Sequence, residues 1–300
     1  MELLDYPTPC RLNSKTLSFG LITPSYAPDF DRCRLLCETK KRFLPDSVNH
    51  YIVVDRRDVP LFRELGDRTT EILVVEEILP WWIQRFPFSH QGWLSLKTLP
   101  VRNWILQQLI KLSMAEVISE DMIGFVDSDV AFVRPFDYQN FIQTGQVRLY
   151  REPNSIPGDW KTHRRWYQTA TKLLDCPPVH YPAPNFIGDL VTWKRHNVLK
   201  LRQYLESRFS KSWIETLANT LHWSEYILYG LFVEHILGEQ AGHYYDEVYP
   251  GLQYFSTKPM SEPEICNFLA DIQPQHVTVM ISAKAGIPVQ RYEKLLRKIR

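Results

Sequence analysis

The chain has 300 residues, of which 44% are hydrophobic and 23% charged. These are globular averages and exclude a disordered chain or a fibrous repeat. Lys and Arg number 35 against 34 Asp and Glu, so the net charge of +1 offers no field for nucleic acid and argues against a duplex binder.

In chain order, residues 17–23 (LSFGLIT) form an apolar run stopped by Pro24 and read as a buried strand. A helix is expected over 29–43, with Leu35, Leu36, Thr39 and Phe43 on one face and Asp29 or Asp31 as cap. Residues 51–54 (YIVV) are a second strand that ends at Asp55, and 58–65 a short helix stopped by Gly66. Residues 72–75 make a third strand, and 99–118 the longest helix, with Pro100 in its first turn. A fourth strand over 122–126 runs into Asp127-Ser128-Asp129. Further on, helices are expected over 159–174, 195–208 and 222–237, with strands over 186–193 and 276–281. Residues 238–274 show no clear pattern, and the chain ends in a basic helix.

Alternating strands and helices at this spacing predict an α/β fold with a mostly parallel central sheet, covered by helices on both faces. Such sheets bind ligands beyond the carboxyl ends of their strands, which points to the residues just after Thr23, Val54, Val75 and Val126. No repeat or linker divides the chain, so residues 1–300 read as a single domain. Neither the Thr23 nor the Asp55 segment has a glycine-rich phosphate loop, which argues against a dinucleotide or P-loop enzyme.

No apolar run reaches the roughly 18 residues of a spanning helix. Residues 1–15 carry Glu2, Asp5 and two prolines where a signal peptide has a basic start and an apolar core, so the cytoplasm is the expected location. The five cysteines (Cys10, Cys33, Cys37, Cys176, Cys266) are scattered and read as reduced thiols. Cys33 and Cys37 lie one helical turn apart without the second pair a zinc site needs. Aromatic residues make up 13% of the chain, consistent with a ring-rich core or with a cleft that stacks on sugars or bases.

The chemistry concentrates at Asp127 and Asp129. On an extended chain the two carboxylates, two residues apart, point to the same side. Like charges this close repel, and burying them unpaired costs several kcal/mol or more. A divalent cation removes the conflict, and hard oxygen ligands suit Mg²⁺ or Mn²⁺, which also bind substrate phosphates. The alternative is a turn whose Asp residues cap backbone amides.

Four segments, in this order and spacing, extend that reading: LITPSY (21–26), QQLIKL (107–112), FIGDLVTW (186–193) and WSEYILYG (223–230). With VDSD after a strand, they resemble the nucleotide-sugar glycosyltransferases of the GT-A fold, and are most similar to a bacterial group of uncharacterised glycosyltransferase-like proteins. The resemblance spans roughly residues 17–282. It implies a GT-A, Rossmann-like fold with a nucleotide-sugar and metal half (16–135) and an irregular acceptor-side half (136–300). It also implies transfer of a sugar from a nucleoside diphosphate-sugar to a saccharide or lipid-linked hydroxyl acceptor, in polysaccharide, glycolipid or other glycoconjugate synthesis. Mn²⁺ or Mg²⁺ would bridge the acidic motif and the donor diphosphate, with Asp127 near ribose or metal, Asp129 a direct ligand and His276 a further ligand. An ordinary histidine at a strand start is the other reading of His276.

By the same resemblance, Lys111 contacts the donor sugar or diphosphate. It shares a stripe of the long helix with Trp104, Gln107, Gln108 and Ala115, the mark of a face opening on a cleft; a surface lysine is the alternative. Thr23, Pro24, Ser25 and Tyr26 fall at the nucleobase side, where Tyr26 stacks and Asp55 accepts bonds from base or ribose. Glu225 lies on a helix apolar almost all round, so it pairs with a buried cation or faces a pocket. A carboxyl in such surroundings suits proton transfer, which makes Glu225 the first catalytic candidate. Asn185, Gly188 and Asp189 fall where related enzymes run a strand beneath the donor sugar, and Asp189 is the second acidic candidate. Trp160, His163 and Trp166 are candidates for an acceptor site or for the core.

Two other readings compete. A haloacid-dehalogenase-type phosphatase also uses D-x-D after a strand, but that motif expects Thr or Val where Ala131 stands, and no late paired-Asp motif follows. The other is a carbohydrate- or nucleotide-binding protein that keeps the fold without the chemistry. The terminal RYEKLLRKIR interleaves Arg291, Lys294, Arg297 and Lys298 with Leu295, Leu296 and Ile299, which suits peripheral docking on an anionic membrane or a solvated end helix.

Overall fold

The computed structural model describes residues 17–86 and 92–299; Cys10 and the N-terminal segment weighed as a signal peptide lie outside them. In chain order its main elements are β1 (Phe19–Pro24), α1 (Phe30–Phe43), β2 (Asn49–Val54), β3 (Thr70–Val74), β4 (Ile83–Arg85) and β5 (Trp93–Ser95). They continue with α2 (Asn103–Val117), β6 (Met122–Phe125), β7 (Val130–Phe132), α3 (Lys161–Leu174), β8 (Val191–Lys194) and α4 (Arg195–Phe209). The chain closes with α5 (Glu225–Phe232), β9 (Gly251–Tyr254), α6 (Glu262–Ala270) and β10 (Thr278–Ile281).

The central sheet has the order β8-β6-β1-β2-β3. Strands β6, β1, β2 and β3 run parallel, and β8 is antiparallel to β6 at one edge. Every residue of β1 is buried, as expected of a strand covered on both faces. The period of two separates those faces. Phe19 and Leu21 pack with Leu36 of α1, while Ile22 packs with Leu109 and Leu112 of α2. Chain order runs from β1 outward through β2 and β3, then returns to the other side of β1 as β6. The crevice at the carboxyl ends therefore opens between β1 and β6, the switch point where such sheets hold ligands.

Gly124 shows how tightly β6 is packed. A Cβ there would lie 2.5 Å from Phe19 and 2.8 Å from Leu21, in the middle of a ladder with no room to move. Gly124→Ala is expected to destabilise the fold by about 1–3 kcal/mol. Urea unfolding followed by circular dichroism would measure the shift in midpoint.

Several expected elements change. The long helix begins at Asn103, because Val101 exchanges backbone hydrogen bonds with Trp93 and holds Pro100 outside it. Residues 58–65 form consecutive short turns, of which only Val59–Phe62 is α-helical. The helix expected over 222–237 is α5 followed by a π turn over Val233–Leu237. Asp29 sits at the cap position of α1, but its carboxylate accepts from Arg32 at 3.3 Å instead of capping the helix. The patternless 238–274 stretch holds His243–Asp246, β9 and α6.

The terminal basic helix is reduced to two short turns, Val289–Arg291 and Glu293–Leu296. Its apolar residues do not face outward. Val289, Tyr292 and Leu296 are buried against Leu35, Ala131 and Ile281, and Arg297 pairs with Glu38 of α1 at 2.8 Å. The face expected to meet a membrane is packed on the protein's own core. Among the described residues no helix is long and apolar enough to cross a membrane. Cys33, Cys37, Cys176 and Cys266 are free thiols.

Candidate active site

Two joined hollows occupy the crevice. The first, about 210 Å³, lies at the ends of β1 and β2 and is lined by Tyr26, Asp55, Arg85, Trp93, Trp104 and Gln107. Its walls combine rings and aliphatic side chains with the polar groups of Ser25, Asn103 and Gln107, and Asp55 is held against Arg85 at 2.7 Å. Burial pushes the Asp55 carboxyl upward, and Arg85 opposes that. Arg85 comes from the β4–β5 hairpin, whose sequence carries no sign that it would reach this slot.

The second hollow, about 360 Å³, shares Pro24, Tyr26, Trp104 and Gln107 with the first and adds Lys111, Asp127, Asp129 and Glu225. The acidic motif is not extended. The chain turns at Ser128, with the Val130 N–H donating to the Asp127 carbonyl at 3.2 Å. Asp127 is 61% exposed, whereas the Asp129 Oδ2 accepts from the Ala283 N–H at 2.8 Å. The turn that caps an amide and the pair of carboxylates facing a cleft are thus the same structure. Burial and the neighbouring Asp127 charge push the Asp129 carboxyl up to about 6.

Lys111 is buried on α2 rather than spread on the surface. Its ammonium reaches Glu225 at 3.0 Å, the Tyr226 hydroxyl at 2.9 Å and Asp127 at 3.3 Å. Burial alone would lower its pKa, but Asp127, Tyr226 and Glu225 outweigh burial and hold it well above the usual lysine range. Gln108, one helical turn from Lys111, accepts the backbone N–H of Glu225 at 2.9 Å and so caps α5 from a different helix. Glu225 therefore both pairs with a cation and faces the pocket. Tyr226, the next residue of the first turn of α5, joins it at Lys111 through its hydroxyl.

The carboxylates of Asp29, Asp127, Asp129 and Glu225 line the hollow, while Arg32 and Lys111 are the cations that touch them. Lys284 also lines it, with its ammonium over the Phe255 ring. Asp29 was legible only as a helix cap. Its charge adds to that of Asp127 and Asp129, and burial raises its own carboxyl. Oxygen donors in excess of nearby cations fit a hard divalent ion at Asp127 and Asp129.

Three other sequence candidates lie elsewhere. Thr23 is fully buried in β1, where its hydroxyl meets His50 Nε2 at 2.9 Å. His276 Nδ1 accepts from the Gln273 N–H at 3.1 Å. Asp129 pairs with the Ile281 end of β10, so five residues of extended chain place His276 roughly 15 Å away. Asp189 is buried, with Oδ2 accepting from the Thr278 hydroxyl at 3.1 Å and Oδ1 without a partner. Burial pushes its carboxyl up to about 6. Asn185 accepts from the Ile187 N–H, and a Cβ at Gly188 would lie 3.3 Å from the Tyr249 ring, so the glycine there serves packing. Among the described residues no cluster of three or more His, Cys, Asp or Glu side chains has the arrangement of a metal site.

Residues 14–256 match the model of a family of unknown function (DUF6492). The chain belongs to that family. No curated protein matches the sequence. Among solved structures, this member of the family is similar to mouse xyloside xylosyltransferase 1 in its apo form, with a TM-score of 0.45 and 12% identity over 90% of this chain and 99% of that one. It is also similar to the apo WbbM bifunctional glycosyltransferase, with a TM-score of 0.49 and 9% identity over 95% of this chain. The match spans about half of WbbM, 52% of that chain.

Proposed function

We propose that this family member is a glycosyltransferase that moves a sugar from a nucleoside diphosphate donor to a hydroxyl acceptor with the help of Mn²⁺ or Mg²⁺. The observation that carries the reading is the pair of joined hollows at the sheet's switch point. One is a ring-lined slot with a single acid–base pair, and the other a carboxylate-rich chamber with one buried ammonium. A flat base with polar edges suits the first, and a charged diphosphate-sugar suits the second.

In this reading Tyr26 and Trp104 flank the base, while Asp55, fixed by Arg85, accepts a hydrogen bond from base or ribose. Asp127 and Asp129 would hold the divalent ion. Once bound, that ion supplies Lewis acidity that stabilises charge on the diphosphate leaving group. Lys111 fixes Asp127 and Glu225 in place and sets a permanent positive charge beneath the chamber. Glu225 is oriented by Lys111 and Gln108 toward the cleft, where it holds a hydroxyl of donor or acceptor. His276 and Thr23 have no part in the site.

Thermal-shift screening of nucleotide sugars, with and without Mn²⁺, tests the proposal. Stabilisation by a nucleoside diphosphate-sugar that requires Mn²⁺ is the expected result. The same screen dissects the slot, because stacking on an aromatic ring contributes about 1–3 kcal/mol per base. Tyr26→Ala should therefore weaken nucleoside diphosphate binding by roughly 5- to 150-fold. Unaltered affinity in calorimetric titration would remove Tyr26 from the base site.

A further inference from the structure

A line of aromatic rings leads out of the chamber from Trp104, and beyond Trp104 it is not used by the donor reading. Trp104 of α2 stacks on Trp166 of α3 with centroids 5.3 Å apart and planes 16° from parallel. Trp166 meets His163 at 4.8 Å, and His163 meets Trp160 at 5.0 Å. Trp104 and Trp166 line the same chamber as Lys111, Asp127 and Glu225. The outer end is open, with Trp160 48% exposed.

The spacing on both helices produces this line. Trp104 lies seven residues before Lys111 on α2, on the same face and roughly 10 Å along the axis. On α3, Trp160, His163 and Trp166 recur at intervals of three, so their rings follow one edge of its first two turns. Only the inner end of the line touches the base slot, since Trp166 does not line the slot that Trp104 shares.

Trp104 and Trp160 differ from the fully buried indoles of Trp93, Trp193 and Trp223 in reaching solvent. Trp82, Trp93 and Trp213 each have a cationic side chain over one face, from Lys97, Arg85 and Arg202. Among the described residues no cation covers Trp104, Trp160 or Trp166, and none of their indole N–H groups donates to a protein acceptor. Burial lowers the His163 pKa and so disfavours a charge on its ring. Half-exposed apolar ring bodies with unspent N–H donors suit a ligand that is apolar on its ring faces and hydroxylated at its edges.

We propose that Trp166, His163 and Trp160, which continue outward from Trp104, form the acceptor subsite, and that the acceptor is an oligosaccharide whose successive pyranose rings pack along this line. The inference rests on the transferase reading for its word acceptor, but the binding it claims does not depend on catalysis. Trp166 holds the reacting sugar near Glu225, and His163 and Trp160 hold the sugars behind it. A line longer than one pyranose selects chains over single sugars.

The test uses the full chain and three panels of linear β-linked oligosaccharides, from one to six residues of glucose, N-acetylglucosamine or xylose. Binding is read by calorimetry and by quenching of indole fluorescence. In at least one panel, affinity should rise with each residue up to three or four and then level off. Trp160→Ala should weaken the longer ligands at least tenfold and leave the monosaccharide unaffected, while Trp160→Phe should restore most of the loss. Absence of binding in all panels overturns the proposal, as does binding indifferent to Trp160→Ala. Nucleoside diphosphate binding with Mn²⁺ is measured on the unaltered chain in parallel. If it is present without saccharide binding, the subsite falls and the donor reading stands. If saccharides bind through Trp160 and no nucleotide does, the subsite stands and the transferase reading falls.

Discussion

Replacing Lys111 by Met is expected to cost about 3–5 kcal/mol of stability and to abolish turnover. The substitution keeps the unbranched stem that packs within α2 and removes only the charge. Glu225, Asp127 and the Tyr226 hydroxyl would then lose the ammonium they surround, and Glu225 is itself buried. An isolated carboxylate in that position is the costly state, more than the lost attraction itself. Lys111→Met/Glu225→Gln should therefore be more stable than Lys111→Met alone, since the stranded charge goes with its partner. Activity should not return in the double variant. Urea midpoints for the two single variants and the double variant give the coupling directly. Additive losses would show that the Lys111–Glu225 contact is incidental. Because the Lys111 pKa lies above its ordinary value, its contribution is fully present below pH 10.5 and is not lost through the neutral range.

Asp129→Asn should have two opposite effects. Metal-dependent donor binding and turnover should disappear, because the amide cannot replace an anionic ligand for a hard cation. In metal-free buffer at pH 8 the protein should become more stable, by about 2–3 kcal/mol at most. The folded carboxyl titrates at about 6, above its ordinary value of 3.8, because burial and Asp127 disfavour its charge. A carboxyl shifted upward stabilises the fold fully below pH 3.8, and that stability is lost as pH rises through 6. The substituted amide carries no charge at any pH, yet its carbonyl oxygen can still accept the Ala283 N–H. The melting temperature of the variant should therefore fall less between pH 4 and pH 8 than that of the unaltered chain. Asp189, which burial also pushes up to about 6, contributes to the slope that remains in this window, as do the other shifted carboxyls and histidines. Mn²⁺ should offset the loss in the unaltered chain and do nothing for Asp129→Asn. A variant that melts earlier at pH 8, or that Mn²⁺ still stabilises, would remove Asp129 from the metal proposal.

The two effects share one cause. Asp127 and Asp129 are held close enough to repel, at a turn that the Ala283 amide pins from one side. Strain of this kind at a cleft is what a ligand relieves, and stability gained by removing it is expected to cost function.

The central sheet and its crevice follow from local patterns along the chain. The apolar runs of β1, β2 and β6, separated by helix-length patterns, permit few arrangements other than a parallel sheet covered on both faces. Once that sheet exists, Tyr26, Asp55 and Asp127 must fall at its carboxyl edge, because each follows the last buried residue of its strand. The Trp104–Gln108–Lys111 stripe was legible for the same reason: helical period is a local property of the chain. What those side chains meet is a matter of the assembled fold. That Lys111 bridges Asp127 and Glu225, 114 residues from Lys111 along the chain, depends on how α5 docks against α2. Arg85 reaches Asp55 from a hairpin with no local signal, and Asp29 joins the acidic group because α1 begins beside the β6 turn. The failures follow the same division. Thr23, Asp189 and His276 have the right residue types at plausible positions, but β1 turns the first into the sheet, Thr278 covers the second and the β10 register carries the third away. Periodicity fixes which face of an element is apolar. Where that face comes to rest is settled by packing between distant segments.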